Sequence, residues 1–186
     1  MPAKSKYLRG QLLLDGGELR GSWFHRSVVL ICEHDAKGAF GLVLNRTSGA
    51  RVGDAILAEL PENVKDLPLY VGGPVQPSAM SFLHWSAASE DPRFMTHLEL
   101  GHSLDDLARV AAVVSPANPL RLFAGYAGWQ AGQLEEEMKR KAWLTHPASV
   151  DLVFHSDPDH LWRGVLRQKG WPHALLADAP DDLSAN

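Results

Sequence analysis

Arg26-Ser-Val-Val-Leu-Ile-Cys-Glu-His-Asp-Ala-Lys-Gly-Ala-Phe-Gly-Leu-Val-Leu-Asn45 is the stretch on which the fold turns. Val28 to Glu33 and Gly41 to Asn45 are aliphatic and β-branched. Between them Asp35-Ala-Lys-Gly38 ends on a glycine free to take positive φ, so the stretch reads as a β-hairpin. Both arms are apolar on consecutive rather than alternate residues, which predicts burial on both faces. Cys32 falls inside the first arm. There a buried, inert thiol is expected, and as the chain's 1 cysteine it can form no internal disulfide.

Outward from the hairpin, short apolar runs alternate with turn signals. Leu12 to Leu14 reads as a first strand closed by Asp15-Gly16-Gly17. Val52 to Leu60 places Ile56, Leu57 and Leu60 at helical spacing and stops at Pro61, which predicts a short helix. Leu69 to Gly72 and Met80 to Trp85 read as strands around the Gly72-Gly73-Pro74 turn. Ser103-Leu-Asp-Asp106 is a capping signature, and Leu104, Leu107, Val110, Ala111 and Val114 then recur on one helical face until Pro116.

Arg121 to Tyr126 reads as a strand that enters a Gly-rich turn. Gln130 to Ala142 reads as a charged helix, with Glu135-Glu136-Glu137 spaced i,i+4 from Lys139-Arg140-Lys141 as a solvated face. Val150 to His155 reads as a last strand and Trp162 to Lys169 as a final helix, with an acidic tail from Asp178 expected to fray. Several hairpin-like strands with few helices predict an α+β fold with a mainly antiparallel sheet. The 186 residues are read as a single domain, 1–186, with a core of about 8–170.

Composition narrows the function classes. Hydrophobic residues at 45% and charged residues at 22% describe a folded globular chain. The formal net charge of −4 argues against direct nucleic acid binding, which calls for a basic face. No run of 18 apolar residues exists, so no membrane association is expected. With the lone cysteine, this predicts a cytoplasmic protein. No nucleotide or cofactor motif is complete, and no cofactor is expected.

Three further segments carry a family pattern: Tyr70-Val-Gly-Gly-Pro-Val-Gln76, Leu83-His84 and Gly125-Tyr-Ala-Gly-Trp-Gln-Ala-Gly-Gln-Leu-Glu-Glu-Glu137. In this order with the hairpin, they resemble the bacterial YqgE/AlgH family over roughly Leu8 to Leu144. Its members are largely uncharacterised and are sometimes called transcriptional regulators. The resemblance implies a coiled, partly barrel-like sheet with flanking helices, and it implies no reaction. The chain departs from the family pattern at Asp15-Gly16-Gly17, where members carry a small Pro-containing segment. It departs again at Arg46-Thr47, where they often have Arg-Pro.

The candidate site residues lie in these segments: Glu33, His34, Asn45, Arg46, Gly72, Gly73, Pro74, His84, Gly125, Gly128, Trp129, Gln133 and Glu135. Polar side chains just beyond buried strands suit a binding cleft. Gly125, Gly128 and Gly132 would expose backbone N–H groups at a helix start, where an anion can bind. The same residues also admit an architectural reading, with glycines for close packing, Trp129 and Trp143 in a core, and Glu33, His34, Asn45 and Gln133 tying turns together.

His155-Ser-Asp-Pro-Asp-His160 mixes ligand types that suit a divalent ion, through His155, Asp157 and His160. Asp157-Pro158 is also a routine turn with a helix cap, and no metal is expected. His97-x-Glu99 matches half of a zinc-deaminase signature whose cysteine half is absent. The leading reading is a binding or regulatory module for a small molecule or protein partner. The alternatives are a hydrolase using His34 or His84 with Glu33 or Glu135, and a transcriptional regulator acting indirectly.

Overall fold

The computed structural model describes residues 7–86 and 97–180. Its centre is the expected hairpin, formed by β2 (Val28–Asp35) and β3 (Gly38–Val43), with Val29 opposite Val43 and Leu30 opposite Leu42. Val28 through Cys32 and Leu42 through Leu44 are all fully buried, so both faces are covered as the consecutive apolar pattern predicts. Burial also pushes the Cys32 thiol pKa far up, which leaves it inert.

On one side of the hairpin lies β1 (Gln11–Asp15), followed by the edge strand β9 (Trp143–Pro147). On the other side β3 pairs with the second half of β8 (Leu120–Gln130) through Gly38 to Gly41. The first half of β8 is flanked by parallel β5 (Pro68–Val71) and antiparallel β6 (Val75–Trp85). Outermost are β4 (Thr47–Arg51) beside β5 and β7 (Leu98–Gly101) beside β6. The result is an α+β fold with a 9-stranded, mostly antiparallel open sheet branched at β8.

Helices cover three apolar clusters. α6 (Pro158–Gln168) and α7 (His173–Asp178) set Leu161, Trp162, Val165 and Leu166 against Leu12, Leu30 and Phe123. α3 (Leu104–Ala111) sets Leu107 and Val110 against Phe82 and Leu122. α4 (Gln133–Lys139) sets Leu134 against Val29, Ile31, Trp129 and Trp143. The Ser103 hydroxyl caps α3 by accepting from the Asp106 N–H at 3.1 Å, as its sequence predicts. Among the described residues no helix is long and apolar enough to cross a membrane.

Several expectations are corrected. Val52 to Leu60 is not one helix. α1 (Val52–Ala55) ends at Ile56, Leu57 is fully exposed, and α2 (Glu62–Lys65) follows. The apolar residues there reach the core singly. Val150 to His155 is not a strand: Ser149 accepts from the Leu152 N–H at 3.4 Å and starts α5 (Val150–Val153). α3 stops at Ala111 with Leu104 half exposed, short of Pro116. In α4, Lys139 pairs with Glu136 at i,i+3, while Arg140 and Lys141 lie beyond the helix. Fraying does not begin at Asp178, which ends α7 and accepts from Arg167 Nη2 at 2.6 Å; the rest of the acidic tail, past residue 180, lies outside the described residues.

Candidate functional site

The Gly-rich segment is not a turn. Gly125 and Gly128 lie inside β8, and the chain turns only at Ala131-Gly132, where Gly132 is the N-cap of α4. The three glycines therefore do not gather N–H groups for an anion. Gly72 and Gly73 instead let the chain after β5 cross β8 at Gly125. A Cβ at Gly72 would meet the Gly125 carbonyl at 2.4 Å, and one at Gly73 would meet the Tyr126 carbonyl at 2.1 Å. The Gly72 N–H donates to the Ala124 carbonyl at 2.9 Å, and the Val43 N–H donates to the Gly72 carbonyl at 2.9 Å, which locks the crossing to the hairpin. Pro74 sits exposed just beyond it.

Asn45 also serves the frame. Its Oδ1 accepts from the Val28 N–H at 2.8 Å and its Nδ2 donates to the Arg26 carbonyl at 2.9 Å, so its amide closes the base of the hairpin. Arg46 stacks on Trp23 with the guanidinium carbon 4.8 Å from the ring centroid. Its Nη2 donates to the carbonyls of Trp23 and His25 at 2.7 and 2.9 Å. Partial burial lowers its pKa from the usual arginine value.

His34 and Glu135 do come together, with Nε2 and Oε1 3.4 Å apart. His34 Nδ1 accepts from the Leu8 N–H at 3.0 Å. A neutral ring must therefore carry its proton on Nε2, aimed at Glu135 without well-aligned bond geometry. With its acceptor nitrogen consumed by backbone and its side chain buried, His34 is not placed to take a proton from a substrate. Glu33 points outward beside it, along an open cleft at the hairpin tip with Asp35, Lys37 and Trp129.

His84 is elsewhere, on β6 opposite Glu99 of β7, and is buried at 2% exposure with neither ring nitrogen bonded among the described residues. Burial lowers its pKa below the ordinary 6.5, with Glu99 opposing and Arg109 reinforcing the shift. The folded state thus binds fewer protons than the unfolded chain once the pH falls below 6.5. Stability is expected to fall there by up to about 1.4 kcal/mol per pH unit. Urea titrations at pH 7 and pH 5.5 on wild type and His84→Phe should show this slope flattened in the variant.

A nucleophile–base contact occurs at Ser81 Oγ and His102 Nδ1, 3.0 Å apart. Ser81 is buried, and the His102 ring meets Phe40 edge-on with no carboxylate partner among the described residues, so no third group orients the base. The three metal candidates are bonded to one another and to backbone. Asp157 caps α6 by accepting from the His160 N–H at 3.3 Å and bonds His160 Nδ1 at 2.8 Å, while His155 Nδ1 accepts from the Asp157 N–H at 3.1 Å. Among the described residues no group of three such ligands converges.

What the motif does assemble is an aromatic cleft of about 330 Å3. Trp129, Trp143 and Phe24 form its wall, with Trp129 and Trp143 edge-to-face at 6.2 Å and Phe24 against both. The Glu137 carboxylate holds that wall. Its Oε2 accepts from Trp129 Nε1 at 2.9 Å and Trp143 Nε1 at 2.8 Å, and its Oε1 accepts from Gln133 Nε2 at 3.0 Å. Gln133 Oε1 in turn accepts from the Gln130 N–H at 3.1 Å. Gly128, Ser22, Glu18 and Arg140 are also among the lining residues.

Two residues that organise this region left no signal in the sequence. Asp15, fully buried, accepts from the Gly17 and Arg26 N–H groups at 2.8 Å each and from the Leu19 N–H at 3.2 Å, gathering residues 16–27 into a wall. Buried Arg121 donates to the carbonyls of Leu44, Val153 and His155 at 3.3, 2.8 and 2.7 Å and lies 4.2 Å from the Tyr70 ring centroid. It fastens α5 to the sheet, and burial lowers its pKa. These hydrogen bonds of both run to backbone groups, which no residue pattern reveals.

Fold and site together define an α+β protein with a branched open sheet and ligand-sized clefts whose polar residues are tied into the frame. The chain belongs to the AlgH-like family (DUF179), whose model matches residues 12–174. A UPF0301 protein of Chlamydia pneumoniae is 37% identical across 96% of this chain and 95% of its own, and one of Chlorobium luteolum is 35% identical across 92% and 91%. The solution structure of AlgH from Pseudomonas aeruginosa superposes with a TM-score of 0.73 at 30% identity, covering 97% of this chain and 98% of that one. A crystal structure of a Corynebacterium diphtheriae protein gives 0.76 at 27%, covering 91% of each.

Proposed function

We infer that this chain is a cytoplasmic, single-domain binding module that holds a small organic ligand against Phe24, Trp129 and Trp143 and does no chemistry on it. The observation that carries this reading is the Glu137 carboxylate, which takes both indole N–H groups and the Gln133 amide. Those bonds fix the ring walls before a ligand arrives, which reduces the ordering cost of binding. A cleft of mixed aromatic and polar lining suits a small molecule with an apolar body and one or two hydrogen-bonding groups. The same bonds occupy Glu137 and Gln133, so they orient and do not transfer protons. The net charge of −4 supports an indirect route for any effect on transcription, through a protein partner rather than by contact with DNA.

The test is native mass spectrometry after incubation with a bacterial metabolite extract. Wild type is expected to retain an added small-molecule mass, and Phe24→Ala, with its circular dichroism unchanged, is expected to lose it. Retention unaffected by Phe24→Ala, or no retention from any extract, would overturn the reading.

A further inference from the structure

A second cleft, of about 300 Å3, lies at the other end of the segment that Asp15 gathers. Ser22 and Phe24 face the aromatic cleft, whereas His25 and Arg26 face this one. Asn45 and Arg46 reach it from the end of the hairpin, and Asp159 and Arg163 reach it from α6. Three elements thus deliver three arginines and an imidazole to one cleft, where Asp159 is the lining carboxylate and His25 Nδ1 lies 3.5 Å from the buried Asp15 carboxylate. We propose that this cleft binds the phosphate group of a phosphorylated small molecule.

The side chains are held for that task. Stacking on Trp23 and two carbonyl acceptors fix the plane of Arg46, and its buried Nε makes no hydrogen bond among the described residues. A buried guanidinium N–H without an acceptor is costly to the protein alone, and an oxyanion supplies one. Arg26 lies 5.2 Å from the Trp162 ring centroid, with Nη2 donating to the Ala179 carbonyl at 2.6 Å. Arg163 forms no ion pair with any described residue, although Asp159 stands one turn before it on α6. Planar guanidinium forks arriving from different elements match the tetrahedral array of phosphate oxygens, whereas a carboxylate offers two oxygens in one plane. The volume exceeds that of a bare ion, which leaves room for the organic part of an ester.

The experiment uses the full chain and titrates pyrophosphate, glycerol phosphate and citrate by calorimetry and thermal shift at constant ionic strength. Saturable binding of the phosphate compounds is expected, weakened by about tenfold or more in Arg163→Gln, as loss of a charge-assisted bond predicts. Arg163 is partly exposed and holds no part of the core, so the variant should fold. Arg51→Gln, which removes a surface arginine paired with Asp66 on β4, should bind as wild type does. Equal binding by wild type and Arg163→Gln, saturation by citrate alone, or no saturable binding would each overturn the proposal. Phe24→Ala should keep phosphate binding, so failure here is distinguishable from failure of the aromatic cleft.

Discussion

Gly125→Ala is expected to cost about 4 kcal/mol or more, a large share of the stability of an ordinary domain. Gly125 sits in β8 at φ +69°, where an L side chain adds about 1 to 2 kcal/mol of strain. A Cβ there would also lie 2.5 Å from the Gly73 carbonyl oxygen and 3.1 Å from that of Val75. Both obstacles are backbone atoms, and the crossing strand is pinned by the bonds from Gly72 to Ala124 and from Val43 to Gly72, so neither can swing aside. Gly132→Ala supplies the control. Gly132 has φ +77°, yet nothing stands within 4 Å of its Cβ position, and only the strain of about 1 kcal/mol is expected. Urea unfolding followed by tryptophan fluorescence separates the two; equal losses would mean that the segment after β5 does not approach β8 this closely.

That contrast explains what was legible in the sequence. The hairpin was, because burial on both faces writes an apolar residue at nearly every position from Val28 to Cys32. Gly125 was misread because a glycine looks the same whether it turns the chain or admits another backbone, and here it does the second, while Gly128 lies in the same strand beside the Tyr126 ring. Val150 to Val153 has a strand's residues in a helix, since the Ser149 cap and packing of Leu152 and Val153 on the sheet outweigh β propensity. The edge strand Trp143 to Pro147 went unseen, because an edge needs few apolar residues and a proline at its end is tolerated there.

The candidate residues divide along the same line. Asn45, Gln133, His34 and Glu135 were recognised as polar groups beside buried strands, but sequence could not show that all four bond into the frame while Gln133 and Asn45 also line clefts. Trp129 was legible as a core residue, whereas the carboxylate that holds it, Glu137, looked like one more acid on a solvated helix face. Its second indole donor, Trp143, lies past the end of α4, and such a contact belongs to the path of the chain rather than to helical spacing.

Asp15→Ala is expected to cost about 3 to 5 kcal/mol and to disable both clefts while the sheet still folds. The Asp15 carboxylate is fully buried and accepts from three backbone N–H groups, those of Gly17, Leu19 and Arg26, with His25 Nδ1 3.5 Å away. Each N–H left without an acceptor costs about 1 to 3 kcal/mol, and water entering the loop recovers part of that. The recovery requires residues 16–27 to open, and those residues carry Phe24 of the aromatic cleft and His25 and Arg26 of the basic one. Hydrogen exchange on the variant should therefore speed up across 16–27 and remain slow in β2 and β3, and the retained metabolite and the phosphate affinity should fall together. Asp15→Asn keeps one carbonyl oxygen and should lie between, since its NH2 faces N–H donors it cannot serve. Uniformly faster exchange would make Asp15 a support of the whole core. Faster exchange confined to the loop would make it the clamp that builds two binding surfaces from one segment.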